Sequence, residues 1–142
     1  MISFTCDFLL VSKARPRFSK GRTFTPQKTK AFETAVGFAA RSAMANQPPM
    51  TTPCRLEIFA LFAPPASWPK WKQTAAMGKP YTCASDADNM LKAVADGMNE
   101  IVYIDDRLVS HGSIERYYGA TNQFRVTILP LEGVPATRAE AA

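Results

Sequence analysis

The alternation of apolar and polar residues along the chain predicts four β-strands, at residues 2–11, 54–63, 108–118 and 123–131. The second strand shows the pattern most clearly, because every second residue is apolar: Leu56, Ile58, Ala60 and Phe62. A turn at residues 119–122 joins the last two strands. We therefore expect a small sheet with at least one buried face.

Two helices are predicted from apolar residues that recur every three or four positions. The first begins with Thr25 as N-cap and Pro26 as the first helical residue, and it ends at about Ala45. Its expected buried stripe consists of Ala31, Ala35, Phe38, Ala39 and Ser42. The second helix covers residues 86–100, and its apolar face consists of Leu91, Val94, Ala95 and Met98.

The segment between the second strand and the second helix, residues 64–80, contains four prolines, two tryptophans and three lysines. This composition predicts a functional loop or a short helix. Trp68 and Trp71 alternate with Lys70 and Lys72, and exposed indoles stack on the bases of opened DNA. The alternative is that both tryptophans pack into the core.

The order strand, helix, strand, helix, strand, strand predicts an α+β (mixed α/β) fold, in which one small sheet of about four strands packs with two main helices. A chain of 142 residues has the length of one domain and buries a core without disulfides. We expect this domain to span residues 1–131. Residues 132–142 are rich in alanine and are expected to form a flexible C-terminal tail.

The two halves of the chain differ in charge. Residues 1–80 hold 12 basic and 3 acidic residues, whereas residues 81–142 hold 5 basic and 9 acidic residues. The asymmetry predicts a basic face suited to nucleic acid and a separate acidic region suited to a divalent cation; a solvated surface of uneven charge is the alternative. The residues expected to contact phosphate groups are Lys13, Arg15, Arg17, Lys20, Arg22, Lys28, Lys30, Lys70 and Lys72.

Four aspartates stand out as candidate metal ligands. Asp86 and Asp88 are two residues apart at a helix start, so both carboxylates can reach one cation, and Asp105 and Asp106 form a second pair. Such carboxylates repel one another unless a cation neutralises them, and hard oxygen ligands favour Mg²⁺ or Mn²⁺. The alternatives are a helix cap, an ion pair of Asp88 with Lys92 one turn later, and a turn before a strand.

The cysteine pattern argues against a zinc site. Cys6, Cys54 and Cys83 are widely spaced, form no CxxC pair, and are accompanied by one histidine, His111. This usage is typical of a reducing cytoplasm. The chain contains no run of about 18 apolar residues and no basic segment before its first apolar stretch, so we expect neither a membrane span nor a signal peptide.

The segment DADNMLKAVADGMN at residues 86–99, followed by IVYIDDRLV at residues 101–109, resembles the RusA family of Holliday junction resolvases. The family pattern is D-x-D-N-L-x-K-x-x-x-D-x-L-N, followed by D-D-x-x-V. The resemblance covers most of the chain, because residues 13–18 and 23–26 look like the family's N-terminal basic loop and helix start, and residues 67–70 look like its central loop.

The resemblance implies a homodimeric, Mg²⁺-dependent endonuclease that resolves four-way DNA junctions without a small-molecule cofactor, with Mn²⁺ as a substitute ion. Matched residue by residue, it implies the following site: Asp86, Asp88 and Asp106 as catalytic metal ligands, Lys92 as catalytic lysine, and Asp105 and Asp96 in support. The chain departs from the pattern at residues 83–85, where Cys-Ala-Ser replaces the lysines and proline of many members.

Two other functions stay open at this point. One is a junction- or branched-DNA-binding protein whose cleavage is weak or lost. The other is a nuclease with looser specificity for branched DNA.

Overall fold

The computed structural model describes residues 1–13, 17–19, 22–24, 27–82 and 85–142, and for residues 17–19 and 22–24 it describes the backbone. In chain order the elements are β1 (Ile2–Cys6), β2 (Arg17–Ser19), β3 (Arg22–Phe24), α1 (Gln27–Met44), β4 (Cys54–Phe62), α2 (Lys70–Ala76), α3 (Ala87–Gly97), a 3-10 helix (Asp106–Leu108), β5 (Val109–Tyr118), β6 (Gln123–Pro130) and α4 (Arg138–Ala141). This confirms the predicted α+β class.

Four strands form one mixed sheet in the order β1–β6–β4–β5. β4 runs parallel to β5 and antiparallel to β6. The turn expected at residues 119–122 is present, but it does not pair β5 with β6, because it crosses the end of β4. Gly119 N donates to Phe62 O at 2.9 Å, and Ala63 N donates to Asn122 Oδ1 at 2.8 Å. The strand with the clearest apolar alternation thereby gains a partner on each side.

The predicted buried face of β4 is confirmed. Four of its apolar residues are at most 2% exposed: Leu56, Ile58, Ala60 and Phe62. They face a core that α1 and α3 cover, with α1 against β1 and α3 against β5. Cys6 and Cys54 are free thiols in this core.

The buried stripe of α1 differs from the predicted one. The helix ends within one residue of the expected position, but its buried residues are Thr29, Phe32, Val36, Gly37, Ala40 and Met44. The predicted residues are exposed or half-buried: Ala31, Ala35, Phe38, Ala39 and Ser42. Phe38 is 75% exposed. Two apolar stripes compete on this helix, and the one that carries Phe32, Val36 and Met44 removes more apolar area from water.

The predicted face of α3 is partly confirmed. Val94 and Met98 are buried, whereas Leu91 and Ala95 are half-buried. Three further residues complete the buried face: Met90, Ala93 and Gly97. Compared with the predicted face, the buried face of α3 is therefore turned toward α1. Small residues on α3 permit this close approach of the two helices.

Gly37 and Gly97 form the point where α1 and α3 cross. A Cβ atom on Gly97 would lie 3.0 Å from Val36 Cβ and 3.2 Å from the carbonyl oxygen of Glu33, and a Cβ on Gly37 would lie 3.1 Å from Gly97 O. No side chain fits into this gap without movement of a backbone. The crossing consequently brings Glu33 of α1 close to the C-terminal end of α3, where Asp96 lies.

Other boundaries differ from the sequence-based expectations. β1 ends at Cys6 rather than at residue 11, and the basic loop contains the short antiparallel pair β2–β3. Residues 64–80 contain α2, and the expected tail contains the short helix α4. Thr25, Pro26 and Cys83 lie outside the described residues. Among the residues that are described, no helix is both long and apolar enough to cross a membrane.

We expect Gly97→Ala to lower the free energy of unfolding by about 1–3 kcal/mol, because the added methyl group overpacks the crossing of α1 and α3. Urea unfolding followed by circular dichroism measures this loss. Thr34→Ala, an exposed position of α1, is the control and should cost nothing. Equal unfolding midpoints for wild type and Gly97→Ala would contradict the close crossing.

Candidate active site

Asp86 and Asp88 lie exposed at the start of α3. Asp86 occupies the N-cap position with extended backbone angles, yet its side chain makes no capping hydrogen bond. Asp88 Oδ1 accepts from the backbone N–H of Asn89 at 3.0 Å. The structure therefore does not support the alternative in which Asp86 serves as a cap, and its carboxylate faces solvent.

A second acidic group lies at the other end of α3, around Asp96. Its carboxylate accepts a short hydrogen bond from Lys13 Nζ and lies 3.9 Å from Lys92 Nζ. Asp105 and Asp106 follow in the 3-10 turn before β5, and Asp106 N donates to Asn99 Oδ1 at 3.0 Å. Lys92 therefore pairs with Asp96 and not with Asp88, which was the pairing considered from spacing.

Asp106 is under electrostatic strain in this group. A hydrogen bond shared with Asp96 raises the pKa of the Asp106 carboxyl, and burial and the negative charges of Asp96 and Asp105 act in the same direction. The hydrogen bond is the largest cause, and the like charges add to it. A cation placed beside Asp106 would relieve this strain.

Lys13 points into this acidic group. Its ammonium donates to Glu33 Oε1 at 2.9 Å as well as to Asp96, and its backbone N–H donates to Asn89 O at 3.1 Å. Burial lowers the pKa of Lys13, but the hydrogen bonds to Asp96 and Glu33 outweigh burial, so its pKa is raised overall. Lys13 thus joins the first turn of α3, the last turn of α3 and α1.

The remaining predicted phosphate contacts divide into three sets. Lys28 and Lys30 are exposed in the first turn of α1, and Lys70 and Lys72 are exposed on α2. Arg17 and Arg22 belong to β2 and β3. Arg15 and Lys20 lie outside the described residues.

Two residues that the sequence did not single out support the acidic positions. Glu33 provides the second acceptor for Lys13. Arg116 of β5 donates from Nη1 to the carbonyl oxygen of Ser85 at 2.9 Å and so fixes the residue before Asp86. The sequence could have pointed to Arg116, because it is a charged residue on the inward face of a predicted strand.

Oxygen ligands dominate both acidic groups, and such ligands fit Mg²⁺ or Mn²⁺ rather than zinc. Within the described residues, no three carboxylate, imidazole or thiol groups lie close enough together to hold a metal ion by themselves. A protein site for Mg²⁺ commonly uses one or two carboxylates and takes its other ligands from water and substrate phosphate. The exposed Asp86 and Asp88 meet that requirement.

The chain belongs to a class of DNA-cleaving hydrolases, because the family model described as Endodeoxyribonuclease RusA matches its residues 7–129. The chain is a member of the RusA family, whose enzymes are endodeoxyribonucleases that act on Holliday junctions. The match includes the four aspartates and Lys92, and it confirms the resemblance drawn from the sequence motifs. No individually curated protein matches the chain.

We expect Asp106→Asn to raise the stability of the protein at neutral pH by a few tenths to about 1 kcal/mol, the range for solvent-screened charges. The folded state raises the pKa of Asp106, so the folded state is destabilised as pH rises through the carboxyl range. The side-chain amide of asparagine carries no charge, so Asp106→Asn removes this destabilisation.

The gain should vanish near pH 3, where the carboxyl groups of both folded and unfolded chains hold their protons. Thermal unfolding of wild type and Asp106→Asn at the two pH values measures the difference. Glu132→Gln, outside both acidic groups, should change neither value. A loss of stability at pH 7 for Asp106→Asn would refute the charge crowding.

Proposed function

We propose that this protein is a Mg²⁺-dependent Holliday junction resolvase that hydrolyses two symmetric phosphodiester bonds of a four-way junction during DNA recombination and repair. The observation that carries the proposal is the RusA match over residues 7–129, which contains both acidic segments. Free buried thiols at Cys6 and Cys54 support a reducing cytoplasm as its place of work. We propose a phage or prophage origin, because that origin is common in the family.

Asp86, Asp88 and Asp106 are the proposed metal-binding carboxylates, with Asp96 and Asp105 in support. These residues would hold Mg²⁺, or Mn²⁺ in its place, which would supply charge neutralisation at the phosphate and an activated water. The exposure of Asp86 and Asp88 at the start of α3 supports their part of this assignment. Asp106 lies with Asp96 at the other end of α3, and its raised pKa supports an affinity for a cation there. The DNA phosphate and water complete the coordination.

Lys92 is the proposed catalytic lysine. Its side chain is 61% exposed and its ammonium lies 3.9 Å from Asp96 Oδ1, a loose contact that leaves it able to turn toward a phosphate. There it stabilises the negative charge that develops during hydrolysis. Lys13 supports this role, because its two closer contacts neutralise Asp96 and Glu33.

A homodimer is the proposed assembly. A four-way junction has two-fold symmetry and its resolution requires two incisions, so a C₂ dimer presents two equivalent sites. Exposed lysines and the basic N-terminal loop supply sequence-independent contacts to phosphates. Lys13 was also predicted to contact phosphate, but its ammonium pairs with Asp96 and Glu33. The proposed phosphate contacts are therefore Arg15, Arg17, Lys20, Arg22, Lys28, Lys30, Lys70 and Lys72.

Asp88→Asn tests the chemistry. The change removes a negative ligand but retains the shape of the side chain, so Mg²⁺-dependent cutting of a synthetic junction should fall by at least the roughly 10- to 100-fold that loss of a group supporting a metal ligand costs. Junction affinity, measured without divalent ions, should stay the same or increase, because one repulsive charge is removed. Lys92→Ala should also lose cutting, without the gain in affinity.

Glu132→Gln is the matched control and should cut at the wild-type rate. Wild-type protein is compared on a four-way junction, a flap and a linear duplex, each with and without Mg²⁺, and should sediment near twice 15.6 kDa. Binding without cutting would favour the DNA-binding alternative, and equal cutting of flap and junction would favour the looser nuclease. Wild-type rates for Asp88→Asn would overturn the metal assignment.

Lys28→Ala combined with Lys30→Ala tests the basic face. If both ammonium groups contact phosphates, the double variant should bind the junction more weakly, and the slope of log affinity against log salt should become less steep by about 0.9 for each lost contact. Fluorescence anisotropy at several salt concentrations measures the slope. Arg41→Ala, at the far end of α1, is the control. An unchanged slope would exclude this turn from the DNA interface.

A further inference from the structure

Trp71 is an exposed tryptophan on a helix that buries none of its residues. The indole side chain is 72% exposed on α2. Leaving a tryptophan in water is unfavourable, because its large aromatic ring offers much apolar area whose burial lowers the free energy. The fold does not bury the Trp71 ring, so this stabilisation is available to a ligand that covers it.

The neighbouring Trp68 has a different position, because it anchors the segment. Its ring packs against Tyr118 of β5, with centroids 5.6 Å apart, and Lys72 Nζ lies 4.1 Å above it. Gln73 Nε2 donates to Trp68 O at 2.8 Å. The sequence left open whether the two tryptophans contact DNA or pack inside, and the structure separates them: Trp68 packs and Trp71 does not.

The chain that follows α2 is fixed to the same end of β5. Gly78 N donates to Tyr118 O at 3.0 Å, Tyr118 N donates to Lys79 O at 2.9 Å, and Tyr81 N donates to Arg116 O at 3.0 Å. α2 is therefore held at both ends. The exposure of Trp71 belongs to an anchored element rather than to a loose loop.

This element is joined to the acidic group at the start of α3. Arg116, whose carbonyl oxygen holds Tyr81, also donates from its guanidinium to Ser85 O, one residue before Asp86. The same stretch of β5 thus supports the exposed indole and the first carboxylate.

The charge around Trp71 indicates the chemistry of the ligand. No acidic residue occurs between Glu57 and Asp86, whereas Lys70, Lys72 and Lys79 all lie in this interval. An exposed indole that is flanked by lysines in the sequence matches a nucleobase joined to a phosphate. An apolar protein surface would not require these cations.

We propose that Trp71 is a nucleobase-binding site, in which its indole stacks on a base left without a stacking partner at the branch point of DNA. The inference rests on the proposed function, since it takes branched DNA as the substrate. Bases within a continuous duplex are already stacked on both faces, so the indole gains a contact only where the stack is interrupted. Trp71 accordingly distinguishes branched from linear DNA, whereas the surrounding lysines bind both.

The test uses the full-length protein without divalent ions, so that DNA is bound but not cut. Trp68→Phe leaves Trp71 as the reporter, and its emission should be quenched by a four-way junction and by a single strand, but weakly by duplex of the same arm sequence. Trp71→Ala should weaken junction binding roughly ten- to a hundredfold, as for loss of one stacked base. Duplex affinity should change less than about twofold.

Trp71→Phe should restore most of the junction affinity, because it retains an aromatic face. Met77→Ala, which removes another exposed apolar side chain from the same segment, is the control and should have no effect. Equal losses for junction and duplex, or no loss, would overturn the inference. A change of sedimentation coefficient in Trp71→Ala would also overturn it, by showing that a second copy of the chain covers the indole.

Failure of this inference can be told apart from failure of the proposed function. Quenching and affinity require no cleavage, so they are measured even if wild-type protein cuts no junction with any divalent ion. Conversely, Mg²⁺-dependent cutting with an unresponsive Trp71 would uphold the nuclease and reject the stacking site.

Discussion

The close crossing of α1 and α3 at Gly37 and Gly97 is the constraint on which the acidic site depends. It places Glu33 of α1 beside Asp96 of α3, and one ammonium group, that of Lys13, then bridges both carboxylates. Without the crossing these charges would belong to separate surfaces. A contact between two residues that lack side chains thereby determines where charged side chains meet.

The acidic group around Asp96 brings several negative charges together at one end of α3. A hydrogen bond shared with Asp96 raises the pKa of Asp106, and burial and the negative charges of Asp96 and Asp105 add to the shift. Lys13 offsets part of this repulsion from within the chain. Asp86 and Asp88 are exposed at the start of α3, whereas Asp96 is engaged by Lys13.

Local patterns in the sequence were sufficient for the strand faces and the acidic motif. β4 was predicted because alternation requires only neighbours in the chain, and the aspartates were found because their spacing matches a family. The inward position of Lys13 was not predictable, since its partner Asp96 is 83 residues away and depends on the helix crossing. The same limit explains the wrong stripe on α1: two periodic stripes were present, and only the packing partner decides between them.

The parallel pairing of β4 and β5 has a consequence for how this fold can vary. Two parallel neighbours require a crossover, and here residues 63–108 form it and carry α2, α3 and five aspartates. The sheet fixes the positions of the two ends of the crossover, but it does not fix the number of residues between them. Gly78 and Lys79 are held to Tyr118 by backbone hydrogen bonds, but α2 itself takes no part in strand pairing or in the helix crossing. Exchanges within α2 would therefore leave strand register and the helix crossing intact, so this helix can vary while the framework stays constant.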